Sequence, residues 1–444
     1  MFRSLTLRHL LLPAALLLCP SAASAKPVDL FFVYATALEK DPRVQIAIQR
    51  VKASKARADA SLGVLLPQAS AYYNLSDNEV DYSSNRFPKE HFDGERYSVQ
   101  VRQTLFDWAA ISSRRRANQL LAQQESELLD TMSMLLVDTA RRYFNVLLAD
   151  NNLGLIQAEL ELVQQQLRQT DEMYERKLVR VTDLLETQAR ADKVLTDVIE
   201  AENQAALTRE ALAELTGEHI GDIAPVREDF TLPALENDME YWVRLATGNN
   251  SLLRSKQEAV VAARAGVQER KGGHYPTVGL IFSDQTSDLG FDNQASPKRN
   301  TQYIGLDVAL PLYAGGATSA GVREAWANYY MAREEEESVR REVLKRTREA
   351  WLNTRSSRRR IDAAQASVRS ATKSYEAMSK SFTYGTVTAA DVLEALHART
   401  RSERDYQTAL YEYVVHWLTL KREGGALEGG DLEQVNGRLL AGAL

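Results

Sequence analysis

Apolar residues recur every seven positions along two long stretches of the chain. One seam holds Leu121, Leu128, Leu135, Ala149, Ile156 and Val163, interrupted by Arg142; a companion holds Met132, Thr139, Val146, Leu153, Leu160 and Leu167. After a break at "LVRVTD" (178–183), Leu184, Ala191, Val198, Ala205 and Leu212 resume the pattern, with Val194, Ala201 and Leu215 alongside. Heptads sustained over so many turns predict helices packed side by side, and the small residues in the seams allow close approach. The predicted helices cover about 29–63, 109–177 and 182–216, then 238–271, 317–383 and 388–420. The stretch 109–177 would run ~100 Å at about 1.5 Å per residue. The helix after the break and the first helix together supply a comparable number of residues, so two helices stacked end to end can line one long helix.

Elsewhere the period falls to two. In "QYIGLDVALPLY" (302–313), Ile304, Leu306, Val308, Leu310 and Leu312 alternate with Tyr303, Gly305, Asp307 and Ala309. Tyr97, Val99 and Val101 alternate with Ser98, Gln100 and Arg102; Val278, Leu280 and Phe282 share a face, as do Ala71, Tyr73 and Leu75. Such alternation is the weak signature of outer-membrane strands, although soluble hairpins carry it too. The predicted strands are about 66–76, 96–106, 275–284 and 301–313, each pair joined by a polar loop, "SDNEVDYSSNRFPKEHFDGE" and "DQTSDLGFDNQASPKRN". Tyr72, Phe92, Tyr275, Phe291 and Tyr313 are candidates for interfacial girdles. Four strands cannot close a membrane barrel, so the membrane reading needs strands from other copies of the chain.

The order of elements occurs twice. "LLPQAS" (65–70) returns as "HYPTVG" (274–279), "QTLFDWAAISSRRRAN" (103–118) as "LPLYAGGATSAGVREA" (310–325), and "YERKLVRVTDLLETQARADKV" (174–194) as "FTYGTVTAADVLEALHARTRS" (382–402). The offsets are 209 for Pro67 and Pro276, 207 for Phe106 and Tyr313, and 208 for Asp183 and Asp391. A near-constant offset of this size means two structural repeats, since a solenoid period is far shorter. Repeat one is assigned to 26–225 and repeat two to 226–420, leaving a tail at 421–444 that is either equatorial or disordered.

The first 25 residues belong to neither repeat. Arg3 and Arg8 precede an apolar run, Leu10 to Leu18, and Ala23-Ser24-Ala25 makes a small-residue cleavage site, so 1–25 reads as a secretory signal peptide. The only cysteine, Cys19, lies inside it, and Leu18 before it speaks against a lipid-attachment site. Removing this segment leaves 52 basic and 60 acidic residues, a net charge of −8. A mildly acidic exported chain is a poor nucleic-acid binder. No later apolar run reaches ~18 residues, so a chain that enters a bilayer must do so as a closed barrel.

Catalytic patterns do not emerge. His91, His219, His274, His397 and His416 are scattered without metal-ligand spacing. "GGATSAG" fails the nucleophile-elbow register because Ala317 stands where glycine is required, and neither Gly272-Gly273 nor Gly315-Gly316 precedes a Gly-Lys-Ser/Thr. Arg114 to Arg116, Arg358 to Arg360 and Glu334 to Glu337 read as solvated helix faces, the first group also being placed to meet lipid phosphates. The chain reads as a non-enzyme that needs no cofactor or metal.

Across essentially the whole mature sequence the chain resembles the TolC family of outer-membrane export channels. The resemblance is carried by the duplication, the Pro-Gln and Pro-Thr strand starts, "LFDW" and "LYAGG" at the strand-to-helix turns, and "YGTVTAADVLEA" at the far helix turn. It implies a mostly α chain with a membrane β-barrel: a homotrimer in which each subunit gives four strands to a 12-stranded outer-membrane barrel and helices to a long periplasmic tunnel. It implies a passive exit duct in outer-membrane lipid, served by a periplasmic adaptor and an inner-membrane transporter of ABC or RND type. Protein secretion of type I is the expected use, and small-molecule efflux the alternative. A periplasmic adaptor or a coiled-coil scaffold is the rival of another class, but an adaptor should carry one hairpin flanked by strand-rich domains.

The resemblance also assigns a gate. Asp391 and Glu394 fall on the acids that line the tunnel entrance, and three-fold symmetry would make a ring of six carboxylates whose crowding raises some of their pKa values. Acids favouring the positive end of a helix are the plainer explanation. Thr182 and Asp183 fall on residues that hold the gate shut through a tyrosine and an arginine of the second repeat, but here those positions are Phe382 and Val387. A differently latched gate is expected, with Tyr384, Lys177 or Arg180 as substitutes.

Overall fold

The computed structural model describes residues 28–81, 88–225, 232–290 and 294–440, apart from the side chains of 438–440. The expected signal peptide and Phe291 lie outside these residues. The first repeat forms α1 (Leu30–Lys40), α2 (Pro42–Gly63), β1 (Gln68–Val80), β2 (Glu90–Phe106), α3 (Trp108–Glu175) and α4 (Val181–Thr216). The second forms α5 (Met239–Asn249), α6 (Ser251–Gly272), β3 (Thr277–Leu289), β4 (Ala295–Ala309), α7 (Ala317–Thr383) and α8 (Ala389–Glu423), and α9 (Gly429–Leu440) follows. Among the described residues no helix is long and apolar enough to cross a membrane.

The single helices expected over 29–63 and 238–271 are each two helices. Asp41 and Asn250 interrupt them with extended backbone, both at ψ 122°. Asp41 accepts the Arg43 N–H at 2.7 Å and Asn250 accepts the Leu253 N–H at 3.1 Å, so each caps the helix that follows. Leu30, Ala37, Val44 and Ala58 keep one seven-residue register across the first break and are all buried. The apolar period therefore carries no mark of the interruption.

The four strands form one antiparallel sheet in the order β1-β2-β3-β4. Their ends differ from expectation in two ways. Ladders start two residues late, at Gln68 and Thr277, and β4 stops at Ala309 rather than 313. Pro67, Pro276 and Pro311 stand beside these ends, and a proline has no N–H to give a ladder. At the other ends the ladders run on into the expected loops, pairing Asp77 with Asp93, Glu79 with His91, and Ser287 with Arg299. Backbone pairing continues there without apolar alternation to announce it.

Register brings the four apolar stripes onto one face of the sheet. Tyr73 pairs with Tyr97, Val101 with Phe282, and Phe282 with Ile304. Val99, in the middle of the β2 stripe, pairs with Asp284, four residues along from Leu280 in the middle of the β3 stripe. The band thus steps between the two hairpins, the stagger that tilted barrel strands require. Most of these residues are exposed in the subunit, Ile304 to 71% and Leu75 to 67%, and Val101 is half-buried.

Below the sheet, α3 runs the length of the molecule and packs against α2, α6, α4 and α8, while α7 packs on α6 and α8. The α4 seam is buried as its heptads predict: Ala191, Val194, Val198, Ala201, Ala205 and Leu212 are all under 9% exposed. Arg142, the interruption in the α3 seam, bonds to Glu214 at 2.8 Å and to the Ala211 carbonyl, so its charge meets the end of α4. The largest apolar cluster lies halfway along α3. There Val137, Tyr143, Phe144 and Leu147 meet Leu30 and Val33 of α1, Trp417 and Leu418 of α8, and Leu432 and Val435 of α9. Residues 429–440, in the tail expected to be equatorial or disordered, are thus helical and contribute to this central core.

Candidate functional site: the paired helix turns

The ends of α3 and α7 are built alike. In repeat one the Leu178 N–H donates to the Met173 carbonyl at 2.8 Å; 208 residues later, the Thr386 N–H donates to the Ser381 carbonyl at 3.1 Å. Both bonds close the helix over a left-handed residue. That residue is Gly385 in repeat two (φ +71°) but Lys177 in repeat one (φ +62°). Glycine takes this conformation without strain, whereas a residue with a Cβ does not.

The helices that leave the turns are capped by their own acids. The Thr388 hydroxyl accepts the Asp391 N–H at 3.3 Å, while the Asp391 carboxylate accepts the Thr388 N–H at 2.8 Å and its hydroxyl at 2.7 Å. This reciprocal arrangement is a capping box with aspartate as the acid. In repeat one, Asp183 accepts the Arg180 N–H at 3.2 Å and lies 3.6 Å from the Arg180 guanidinium, with the Thr182 hydroxyl at 3.4 Å. Arg180, expected as a substitute latch, is therefore engaged within its own turn.

Asp391 and Glu394 stand one helical turn apart, both exposed on one side of α8, while Val392, Leu393 and Leu396 are buried on the other. The Thr388 hydroxyl, and then its backbone N–H, hold the Asp391 carboxyl below the usual carboxylate range. Within one subunit this is opposite to the rise expected from crowded carboxylates, because the hydrogen bonds favour the charged form.

Phe382 does more than lack a hydroxyl. It is buried with Ala389 and Val392, and Val387, Met378, Tyr375 and Met173 pack around them. Met173 belongs to α3, so the two turns meet through an apolar joint. Among the described residues no hydrogen bond or ion pair links 176–183 to 382–391. Tyr384 and Lys177, the other expected substitutes, are exposed, Tyr384 to 81%. No periodic signal announced the joint, because the turn between Thr383 and Ala389 separates Phe382 from Ala389 and Val392.

Comparison with known proteins agrees with this architecture. The chain is 30% identical over 418 residues to the alkaline protease secretion protein AprF of Pseudomonas aeruginosa, covering 92% of this chain and 87% of that protein. It is 30% identical to the outer membrane protein TolC of Vibrio cholerae (92% and 93% covered) and 28% identical to the proteases secretion protein PrtF of Dickeya chrysanthemi (94% and 92%). Its fold matches the outer membrane protein VceC of Vibrio cholerae with a TM-score of 0.77 at 20% identity, covering 89% of this chain and 96% of that one. It matches the CmeC outer membrane channel of Campylobacter jejuni with a TM-score of 0.78 at 17% identity, covering 93% and 90%. The profile of the outer membrane efflux protein family matches residues 33–218 and again 242–426, two spans whose starts lie 209 residues apart, the offset of the internal repeat. The chain belongs to the outer membrane efflux protein family, and is an outer-membrane exit duct for secretion or efflux.

Proposed function

We propose that three copies of this chain form one duct that serves as the outer-membrane stage of type I protein secretion, receiving its cargo through a periplasmic adaptor from an inner-membrane ABC transporter. The observation that carries the assembly is the open four-stranded sheet. β1 and β4 each have a neighbour on one side only, and its apolar face is uncovered. Unpaired edges in lipid leave backbone groups unsatisfied, so the sheet must close with copies of itself. Leu129 of α3 and Leu195, Ile199 and Leu207 of α4 are also more than 45% exposed, which suits helices that meet other subunits.

Secretion is favoured by the relatives that match over most of both chains, two of which are named for protease secretion. Small-molecule efflux is the second reading, favoured by the description of the family. In the duct, Asp391 and Glu394 of three subunits ring the periplasmic entrance, with Thr182, Asp183, Phe382, Val387 and Tyr384 at the gate around them. A ring of six carboxylates attracts cations and discourages anions. The duct performs no chemistry, and its energy comes from the transporter.

Deleting the gene and comparing the secreted proteins with drug susceptibility separates the two uses. Loss of a few large proteins from the medium, with drug susceptibility unchanged, is the expected result. An intact set of secreted proteins together with new drug sensitivity overturns the secretion assignment in favour of efflux.

A further inference from the structure

We infer that Glu159, Arg190 and His397 form a latch between the two helical hairpins of a subunit, set above the apolar tip joint, which holds the closed arrangement of α3 and α4 against α7 and α8. The inference deepens the duct reading and rests on it, because a latch needs a gate.

Glu159 projects from α3 and its side chain is only 4% exposed. A carboxyl group so buried needs polar partners, and it has two, both on the same oxygen. A guanidinium nitrogen of Arg190 on α4 lies 3.2 Å from Oε1, and Nδ1 of His397 on α8 also lies 3.2 Å from it. The first contact joins the two helices of one hairpin. The second crosses to the other hairpin, from a residue 238 positions away.

From this level down to both turns, His397–Glu159 is the only hydrogen bond or ion pair among the described residues that joins α3 or α4 to α7 or α8. The remaining contact there is apolar, with Val163, Ala191 and Val194 against Leu393 and Leu396, and Met173 against the Phe382 cluster. Apolar contact is non-directional and tolerates sliding. A hydrogen bond to a buried group is directional, and parting His397 from Glu159 takes away one of the two partners of that buried carboxyl. The position of one hairpin against the other is thus set by this polar contact. An open cleft of about 480 Å³ adjoins the latch between α4 and α8, lined in part by Asp197, Glu200, Arg401 and Arg404. The two helices are not close-packed there in the subunit.

The test uses the full-length trimer purified in detergent and placed in planar lipid bilayers, with potassium chloride as the probe and no adaptor present. Glu159→Gln and His397→Ala should each raise the resting conductance several-fold while the variant elutes in size-exclusion chromatography as the wild type does. The double variant Glu159→Cys with His397→Cys should conduct at the raised level. A short bis-maleimide bridging the two thiols should return it to the wild-type level, which a merely structural role would not do. Wild-type conductance in both single variants, or a bridged double variant that conducts as freely as the unbridged one, overturns the latch. Wild-type trimers that form no pore at all overturn the duct reading itself.

Discussion

At the scale of single residues, the two acids at the start of α8 are unlike one another. Asp391 is committed to the helix cap and bonded twice by Thr388, whereas Glu394 has no part in the box. Because hydrogen bonding lowers the Asp391 pKa, the stabilisation it gives is complete above the ordinary carboxylate pKa and is lost as pH falls through the lowered folded-state value. In an assembled ring, crowding by the other carboxylates acts against this lowering. Block of the channel by multivalent cations should weaken in Asp391→Ala with Glu394→Ala. In Thr388→Val, which removes the hydroxyl and keeps the backbone N–H, the block should fade at a higher pH than in wild type. Bilayer conductance measured as a function of pH decides this; a profile unmoved by Thr388→Val would mean that Asp391 does not face the permeating ions.

At the scale of elements, α7 and α8 are joined at their turn by packing. Phe382 is 9% exposed and shares its cluster with Ala389 and Val392, so it fastens the end of one helix to the start of the next and to Met173 of α3. Phe382→Ala should cost about 3 kcal/mol, at the lower end for loss of a core aromatic because the cluster is small. Amide hydrogen exchange should accelerate through 378–392 while the upper half of α7 stays protected. Exchange that rises equally along the whole helix would show that the turn is not a separate unit. The breaks at Asp41 and Asn250 follow related logic: a side chain that accepts a helix-starting N–H can end one helix and begin another without disturbing the face they bury.

At the scale of the whole molecule, the two termini of the folded chain meet in the central cluster. Leu432 and Val435 of α9 are fully buried beside Leu30 and Val33 of α1, and Asn436 donates to the Asp29 carboxylate at 3.0 Å. Lys421 of α8 pairs with Asp431 at the start of α9. Leu432→Ala should cost about 2–5 kcal/mol and lower the unfolding temperature of the assembled protein by calorimetry. An unchanged unfolding temperature would make α9 a peripheral attachment. The tip is separated from this cluster by long stretches of α3 and α8, so its hydrogen exchange should be unaffected by the substitution.

Taken alone, the sequence determined what repeats locally. Seven-residue spacing marked the buried seams of α3 and α4, alternation marked the apolar stripes of all four strands, and a constant offset marked the duplication. The cap of α8 by Asp391 was also legible, because a threonine three residues before an aspartate at the start of an apolar helix is a capping signal in its own right. Tertiary structure decided whatever depends on a partner distant in the chain. The ladders continue through Asp77 and Ser287 because a facing backbone is there to pair with, and backbone pairing is indifferent to side-chain polarity. Phe382 is buried because α8 folds back over it and Met173 arrives from the other repeat. Glu159 looks in sequence like one more charge on a long helix; only when Arg190 and His397 converge on it, from 31 and 238 residues away, does it become a contact between hairpins. Periodicity records which face of an element is buried, and it holds no information about which distant residue will cover that face.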